Sequence, residues 1–204
     1  MFIEVFLKGI AAGLLIAAPV GPVGVLCVHR TLVWGRLHGL LSGFGAAVAD
    51  ALFAVVAAFG LSFVSDFMIA QQHWLRLAGG CLLLVLGIKN LLSKPAAPNE
   101  AEPRRSLVGD SASAFALTAT NPITIISFLG VFAALGVGGG IGRLEANALV
   151  LGVFSGSALW WILLSTGVGF MRRTIETLYL RWVHVISGVL MLVFGTGALA
   201  GLLW

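Results

Sequence analysis

Charged side chains are scarce in this sequence. Asp, Glu, Lys and Arg make up 10% of its 204 residues, against roughly 25% in soluble domains. Apolar residues make up 59%, and the mean hydropathy is +1.06. This composition excludes a soluble globular domain and predicts an all-α membrane protein that forms a single polytopic domain, residues 1–204. The net charge of +4 therefore does not indicate nucleic-acid binding, because basic residues in such proteins mostly record orientation.

Cysteine is also rare. Cys27 and Cys81 lie in or beside apolar runs and form no CxxC pair, so both are expected to pack as small apolar side chains. The four histidines lie near span ends or in a loop and have no paired acidic or cysteine ligands, which argues against a metal site. The sequence has no P-loop, and no serine has a histidine at matching depth. We therefore expect no enzyme activity and no cofactor.

Six apolar runs are long enough to cross a bilayer, which takes about 20 residues. They are residues 9–28, residues 39–64, residues 75–93, a stretch within 111–142, residues 146–171 and residues 182–204. A polar linker, residues 94–107, divides them into two groups of three, within residues 1–93 and 108–204. With three spans each, the two groups enter the membrane in opposite senses, which predicts two inverted repeats. Five spans and one re-entrant segment are the alternative.

Lysine and arginine are unevenly divided between the two sides of these spans. Nine, including Arg30, lie after the first, third and fifth spans, and three lie on the opposite side. The positive-inside rule then places the linker in the cytoplasm and both termini outside it. The predicted location is the plasma membrane, which is the inner membrane in bacteria.

Proline interrupts two of the predicted spans. Pro19, Gly21 and Pro22 lie at the centre of the first, where each proline removes a backbone donor and crowds the preceding turn. Backbone groups freed at this depth need protein, water or a ligand as partners, so the break is a candidate binding site. Asn121 and Pro122 form a similar break near the centre of the fourth span, where a simple proline kink is the alternative interpretation.

Asp50 is the one charged residue of the second span and falls near its centre, where an acid costs on the order of 3 kcal/mol. Because desolvation favours a neutral carboxyl group, Asp50 is predicted to carry a proton, or else to recognise the amino group of a substrate. A structural hydrogen bond to a neighbouring helix is the alternative. Trp160 and Trp161 lie at a similar depth in the fifth span, where they either line the same cavity or pack in the core.

Small residues four positions apart occur in both halves, as Gly39 and Gly43 and as Gly152 and Gly156. Such pairs let helices approach closely, either within one chain or between copies of it. The sequence is therefore compatible with a homo-oligomer.

Two stretches resemble LysE/RhtB-type amino-acid exporters. The run from Gly9 to Pro22, followed by Gly35, Gly39, Gly43 and Asp50, resembles their first half, and the run from Ala116 to Thr124 resembles their second half. The resemblance extends over essentially the whole chain. It implies a secondary transporter in the lipid bilayer that exports an amino acid or a close derivative, in exchange for protons. The site residues it implies, between the two repeats, are Pro19, Gly21, Pro22, Asp50, Asn121 and Pro122.

Two positions depart from the family pattern. The family often has a contiguous Pro-Gly-Pro where this chain has Val20 before Gly21, and it often has lysine after Asn-Pro where this chain has Ile123. The second departure leaves the charge of the substrate and the coupling ion open. The sequence also leaves open a non-transporting membrane scaffold or assembly component and, more weakly, a metal-ion exporter on a related frame.

Overall fold

The structure is a computed structural model, and it describes residues 2–18, 21–59, 70–92, 106–121, 124, 127–128, 142–171 and 177–200. Within these residues the chain forms seven α-helices and no strand. The helices are α1 (Phe2–Ala17), α2 (Pro22–Val33), α3 (Arg36–Ala58), α4 (Gln72–Leu92), α5 (Leu107–Ala119), α6 (Arg143–Met171) and α7 (Thr177–Ala200). The predicted all-α architecture is confirmed for this part of the chain.

By length and composition, α3 and α6 can each cross a membrane as single helices. Together, α1 and α2 meet the same test as one span that is bent by 79°. The remaining helices contain shorter apolar stretches, Leu77–Lys89 in α4, Leu107–Ala119 in α5 and Val185–Gly197 in α7. Many large apolar side chains are exposed, among them Leu15, Leu52, Val85, Leu151, Ile162 and Val193. The hydrocarbon of a bilayer covers such a surface, so the protein is an integral membrane protein.

The predicted break in the first span separates α1 from α2. The first helix ends at Ala17, and the second begins at Pro22 after Gly21, whose backbone is extended. Proline suits the first position of a helix because its missing N–H would have no intrahelical partner there. Pro19 and Val20 lie outside the described residues.

A tight turn of two residues, Trp34 and Gly35, joins α2 to α3. Gly35 has a φ of 106°, a left-handed conformation that other residues adopt only at a cost. The Trp34 N–H donates to the carbonyl of Arg30, and the Gly35 N–H donates to the carbonyls of Arg30 and Thr31. The turn therefore brings the end of α2 beside the beginning of α3.

The fifth helix has recognisable signals at both ends. At its start, the Ser106 hydroxyl accepts a hydrogen bond from the Gly109 N–H at 3.1 Å, which is a standard N-cap. At its end, α5 stops at Ala119, two residues before Asn121, and a residue that precedes proline avoids helical geometry. The predicted break in the fourth span is therefore described only as far as Asn121, because Pro122 lies outside the described residues.

The helices pack in a regular pattern. The first helix packs on α6, α3 packs on both α5 and α6, α4 packs on α7, and α2 contacts α3, α6 and α7. If the first three predicted spans are exchanged with the last three, the α1–α6 pair becomes the α3–α5 pair. The α3–α6 and α4–α7 pairs are unchanged by this exchange.

Glycines set the distance between α1 and α6. Gly9 of α1 faces Gly152 of α6, a Cβ atom at Gly13 would collide with the carbonyl oxygen of Val153, and one at Gly156 would collide with the carbonyl oxygen of Ile10. The glycines Gly39 and Gly43 likewise face Thr31 and Trp161. Both of the predicted glycine pairs thus serve close contacts within the chain.

Candidate functional site

A small internal cavity lies where α1, α2, α3, α5 and α6 converge. The residues that line it are Ile16, Ala17, Gly21, Pro22, Val23, Gly24, Ala46, Asp50, Thr118, Thr124 and Trp161. Its volume is about 50 Å³. This space holds a few water molecules and is far below the roughly 300 Å³ at which ligand pockets begin. The cavity is therefore too small for an amino acid in this conformation.

Asp50 supplies the carboxyl group of the cavity and is only 3% exposed. Its Oδ2 accepts a hydrogen bond of 2.6 Å from the hydroxyl of Ser157 on α6. The same hydroxyl oxygen accepts a bond of 3.2 Å from the indole Nε1 of Trp161. These three side chains link the two halves of the chain at the cavity. Among the described lining residues, none carries a positive charge that could neutralise the carboxylate.

The position of Asp50 along α3 coincides with the boundary between two apolar clusters. Ala46 and Ala47 belong to one cluster, and Phe53 and Ala54 belong to the other. Packed apolar side chains therefore lie before and after the carboxyl group on its own helix.

Two helix ends also border the cavity. Ala17 is the last residue of α1, and Gly21 and Pro22 form the start of α2. No side chain among the described residues caps the N-terminus of α2. The C-terminus of a helix carries a partial negative charge and the N-terminus a partial positive one. The break can therefore attract a cationic group and an anionic group next to each other.

The cavity brings together four of the eight predicted site residues, Gly21, Pro22, Asp50 and Trp161. Trp160 is half-buried and packs against the apolar cluster that contains Ala46 and Ala47, outside the described lining. Core packing, the alternative considered for each tryptophan, thus describes Trp160. Asn121 follows the end of α5, three residues beyond Thr118 of the lining. Pro19 and Pro122 lie outside the described residues.

Ser157 and Thr118 belong to the site but are not among the residues predicted from the sequence. The sequence does contain a signal for Ser157, which precedes Trp161 by four residues and therefore shares its helix face. Gly43 explains why Trp161 reaches the cavity, because a Cβ atom there would collide with the Cβ of Trp161. The missing side chain lets Trp161 pack close to the backbone of α3.

A second polar cluster, the Arg30 network, consists of Arg30, His38, Ser42, Asp110 and Ser113. Arg30 and Asp110 are each 1% exposed. Arg30 Nη1 donates to the Ser42 hydroxyl and to the Asp110 carbonyl oxygen, and Nη2 donates to the Ser113 hydroxyl, each at 2.8 Å. The Asp110 carboxylate lies 3.3 Å from Arg30 Nε and 2.6 Å from His38 Nδ1. Among the described residues this is a buried ion pair with nearly complete hydrogen bonding.

The Arg30 network changes how two charged residues are interpreted. Arg30 is one of the nine basic residues counted for orientation, but its side chain is buried and does not contribute to a basic surface. Asp110 precedes the predicted fourth span, yet it lies in the first turn of α5 and is buried. From sequence position alone, both residues would be expected outside the packed part of the protein, whereas the structure buries them.

The cavity and the network do not resemble a metal centre. Across the described ranges, no group of three or more His, Cys, Asp and Glu side chains is placed to hold a metal ion. This finding gives no support to the metal-ion exporter that the sequence left open.

Comparison with known proteins places this geometry in a family. The chain is 29% identical over 199 residues to a protein of Bacillus subtilis (strain 168) named "Putative amino acid efflux protein YcgF", and the match includes 94% of this chain and 93% of that protein. No solved structure matches the chain significantly. The sequence profile of the LysE type translocators matches residues 14–201. The chain therefore belongs to the LysE type translocator family, a family of transporters rather than enzymes.

Proposed function

We propose that this protein exports an amino acid or a close derivative from the cytoplasm, in exchange for protons, through the Asp50 cavity. Membership of the translocator family and the name of the Bacillus subtilis relative support amino-acid export. One observation carries the proposal for the site: the two ends of a broken helix and a buried carboxyl group line the same small cavity. Together these features complement the two charged groups of an amino acid.

The substrate's two charged groups have complementary partners in this lining. The ammonium group binds Asp50 and the C-terminal end of α1 at Ala17, where carbonyl oxygens carry partial negative charge. The carboxylate binds the first N–H groups of α2, beside Gly21 and Pro22. Discontinuous helices bind zwitterionic substrates in this way in several transporter folds.

Asp50 couples substrate movement to protons. A buried carboxylate without a positive partner is costly, and the described lining offers no basic side chain. The carboxyl group therefore holds either a proton or the ammonium group of the substrate when the cavity is closed. Because the two exclude each other, release of one accompanies uptake of the other, which is the condition for antiport.

The arrangement of the helices supports two inverted repeats around this site. The main packing pairs are retained when the two halves are exchanged, and the cavity is lined by helices from both halves. Without the buried Arg30, the count of basic residues is still eight against three. We therefore propose that the linker lies in the cytoplasm and that both termini lie outside it.

Transport by the purified protein in liposomes tests this function. With an imposed pH gradient and a panel of labelled amino acids, we expect at least one amino acid to move against the proton flow. Asp50→Asn should abolish the dependence on the gradient, because an amide cannot exchange a proton. Glu4→Gln is the matched control: Glu4 pairs with Lys8 at 2.9 Å on the surface, and its side chain is 62% exposed.

Two results would contradict the proposal at different points. Unchanged gradient-driven flux in Asp50→Asn would show that another group carries the proton. Absence of flux for every amino acid in the panel, in a preparation that elutes as a single folded species, would instead favour the non-transporting membrane component.

A further inference from the structure

The Arg30 network lies on three helices that also line the Asp50 cavity. Gly24 and Arg30 are on α2, Asp50 and Ser42 are on α3, and Thr118 and Asp110 are on α5. At 1.5 Å per residue, the two sites are separated by about 9 Å along α2 and about 12 Å along α3 and α5. All three helices therefore lead from the cavity to the network in the same direction.

That direction is toward the predicted cytoplasmic side. The network lies next to the turn at Trp34 and Gly35 and near the start of α5, which follows the linker. The side chain of His38 is 19% exposed, whereas Arg30 and Asp110 are each 1% exposed. The network thus runs from a half-buried histidine inward to a fully buried ion pair.

The network also joins the two halves of the chain. Arg30, His38 and Ser42 belong to the first half, and Asp110 and Ser113 belong to the second. A movement of one half against the other would separate these partners. Water entering the gap would then hydrate the charges of Arg30 and Asp110, whose burial is costly. Separation of an apolar seal would instead expose apolar surface to water.

We propose that the Arg30–Asp110 network is the cytoplasmic gate of the transporter. In this conformation the gate is closed and separates the Asp50 cavity from the cytoplasm. When the two halves separate at the network, an amino acid from the cytoplasm reaches the cavity. This inference rests on the proposed function and on the proposed orientation.

The chain contains a natural reporter for this gate. Cys27 lies on α2, three residues from Gly24 of the cavity and three residues from Arg30, and it is fully buried. The chain has only one other cysteine, Cys81, which is exposed. In a Cys81→Ser background, a charged thiol reagent that cannot cross membranes reports whether water reaches the segment between cavity and network.

Labelling rates in oriented vesicles test the proposal. In inside-out vesicles, where the cytoplasmic face is outward, Asp110→Asn and Arg30→Gln should accelerate the labelling of Cys27 by about tenfold or more, the factor given by a shift of roughly 1.4 kcal/mol in the gate equilibrium. Labelling from the opposite face should not increase. Arg36→Gln is the matched control for Arg30→Gln, because Arg36 lies outside the network and stacks on the ring of Phe170 at 4.2 Å.

Ser113→Ala is a gentler variant for the case in which loss of a buried charge prevents folding. It removes one hydrogen-bond acceptor from Arg30 and leaves the ion pair in place, so a smaller increase from the cytoplasmic face is expected. Unchanged labelling in every folded variant would overturn the gate. An equal increase from both faces would also overturn it, since that pattern reports general loosening, and an increase from the outer face alone would overturn the cytoplasmic placement.

The labelling experiment is independent of the transport assay, because it needs no substrate and no flux. Active transport combined with unchanged labelling would refute the proposed gate but not the proposed function. Faster labelling of Cys27 from the cytoplasmic face, without any amino-acid flux, would support the gate and refute the proposed substrate.

Discussion

Replacement of Asp110 by alanine should strongly destabilise the protein. The substitution leaves the guanidinium of Arg30, which is 1% exposed, without its counter-ion. Removal of one partner from a buried ion pair costs about 3–5 kcal/mol. For a domain of this size 1 kcal/mol lowers Tm by about 2–4 °C, so Asp110→Ala should lower Tm by about 6–20 °C.

Removal of both charges should cost much less than removal of one. In Arg30→Met/Asp110→Leu neither charge of the pair remains. The hydroxyls of Ser42 and Ser113 still donate to backbone carbonyls, those of His38 and Gly109 respectively. Replacing a buried ion pair by apolar side chains is often neutral or stabilising. The decrease in Tm of the double variant should therefore be less than half of the decrease caused by Asp110→Ala.

Thermal unfolding in detergent, followed by the fluorescence of the six tryptophans, measures these changes. The parent, Arg30→Met, Asp110→Leu and the double variant form a complete double-mutant cycle. A Tm within about 2 °C of the parent for Asp110→Ala, less than the change expected from 1 kcal/mol, would refute the reasoning. Additive losses in the double variant would show that Arg30 and Asp110 act independently.

Two further predictions concern glycines. Gly156→Ala should lower Tm by about 2–12 °C, because its Cβ would collide with the carbonyl oxygen of Ile10 and overpacking costs about 1–3 kcal/mol. Gly167→Ala on the same helix is its control: no atom from another described helix lies within 4 Å of the added Cβ, so Tm should hold or rise, and equal losses would refute the packing argument. Gly35→Ala should lower Tm by about 2–12 °C, because a φ of 106° with a ψ of 171° costs other residues about 1–3 kcal/mol, and an unchanged Tm would contradict that strain.

Features that depend on local chemistry were predictable from the sequence. Apolar runs, prolines and a lone acid determine structure at their own positions in the chain. The helical content, the break after Ala17 and the burial of Asp50 could therefore be anticipated. The same holds for the glycine pair Gly152 and Gly156, since only small residues allow two helix backbones to approach so closely.

The contacts that could not be predicted from the sequence depend on which face of a helix meets which neighbour. Trp160 and Trp161 are adjacent, but only Trp161 faces Gly43 of α3 and joins the described lining of the cavity. Ser157 reaches Asp50 across 107 positions of sequence, a pairing that no local pattern encodes. Helix rotation and docking decide such pairings.

The sequence by itself determined that this is a helical membrane protein and that a broken helix and an acid lie deep within it, because hydropathy and proline geometry are properties of the chain. The tertiary structure decided that Gly21, Pro22, Asp50 and Trp161 line one cavity. It also paired Asp110 with Arg30, which counted only toward orientation in the sequence. Burial of a charge depends on the partners that folding brings to it, and those partners come from distant parts of the chain.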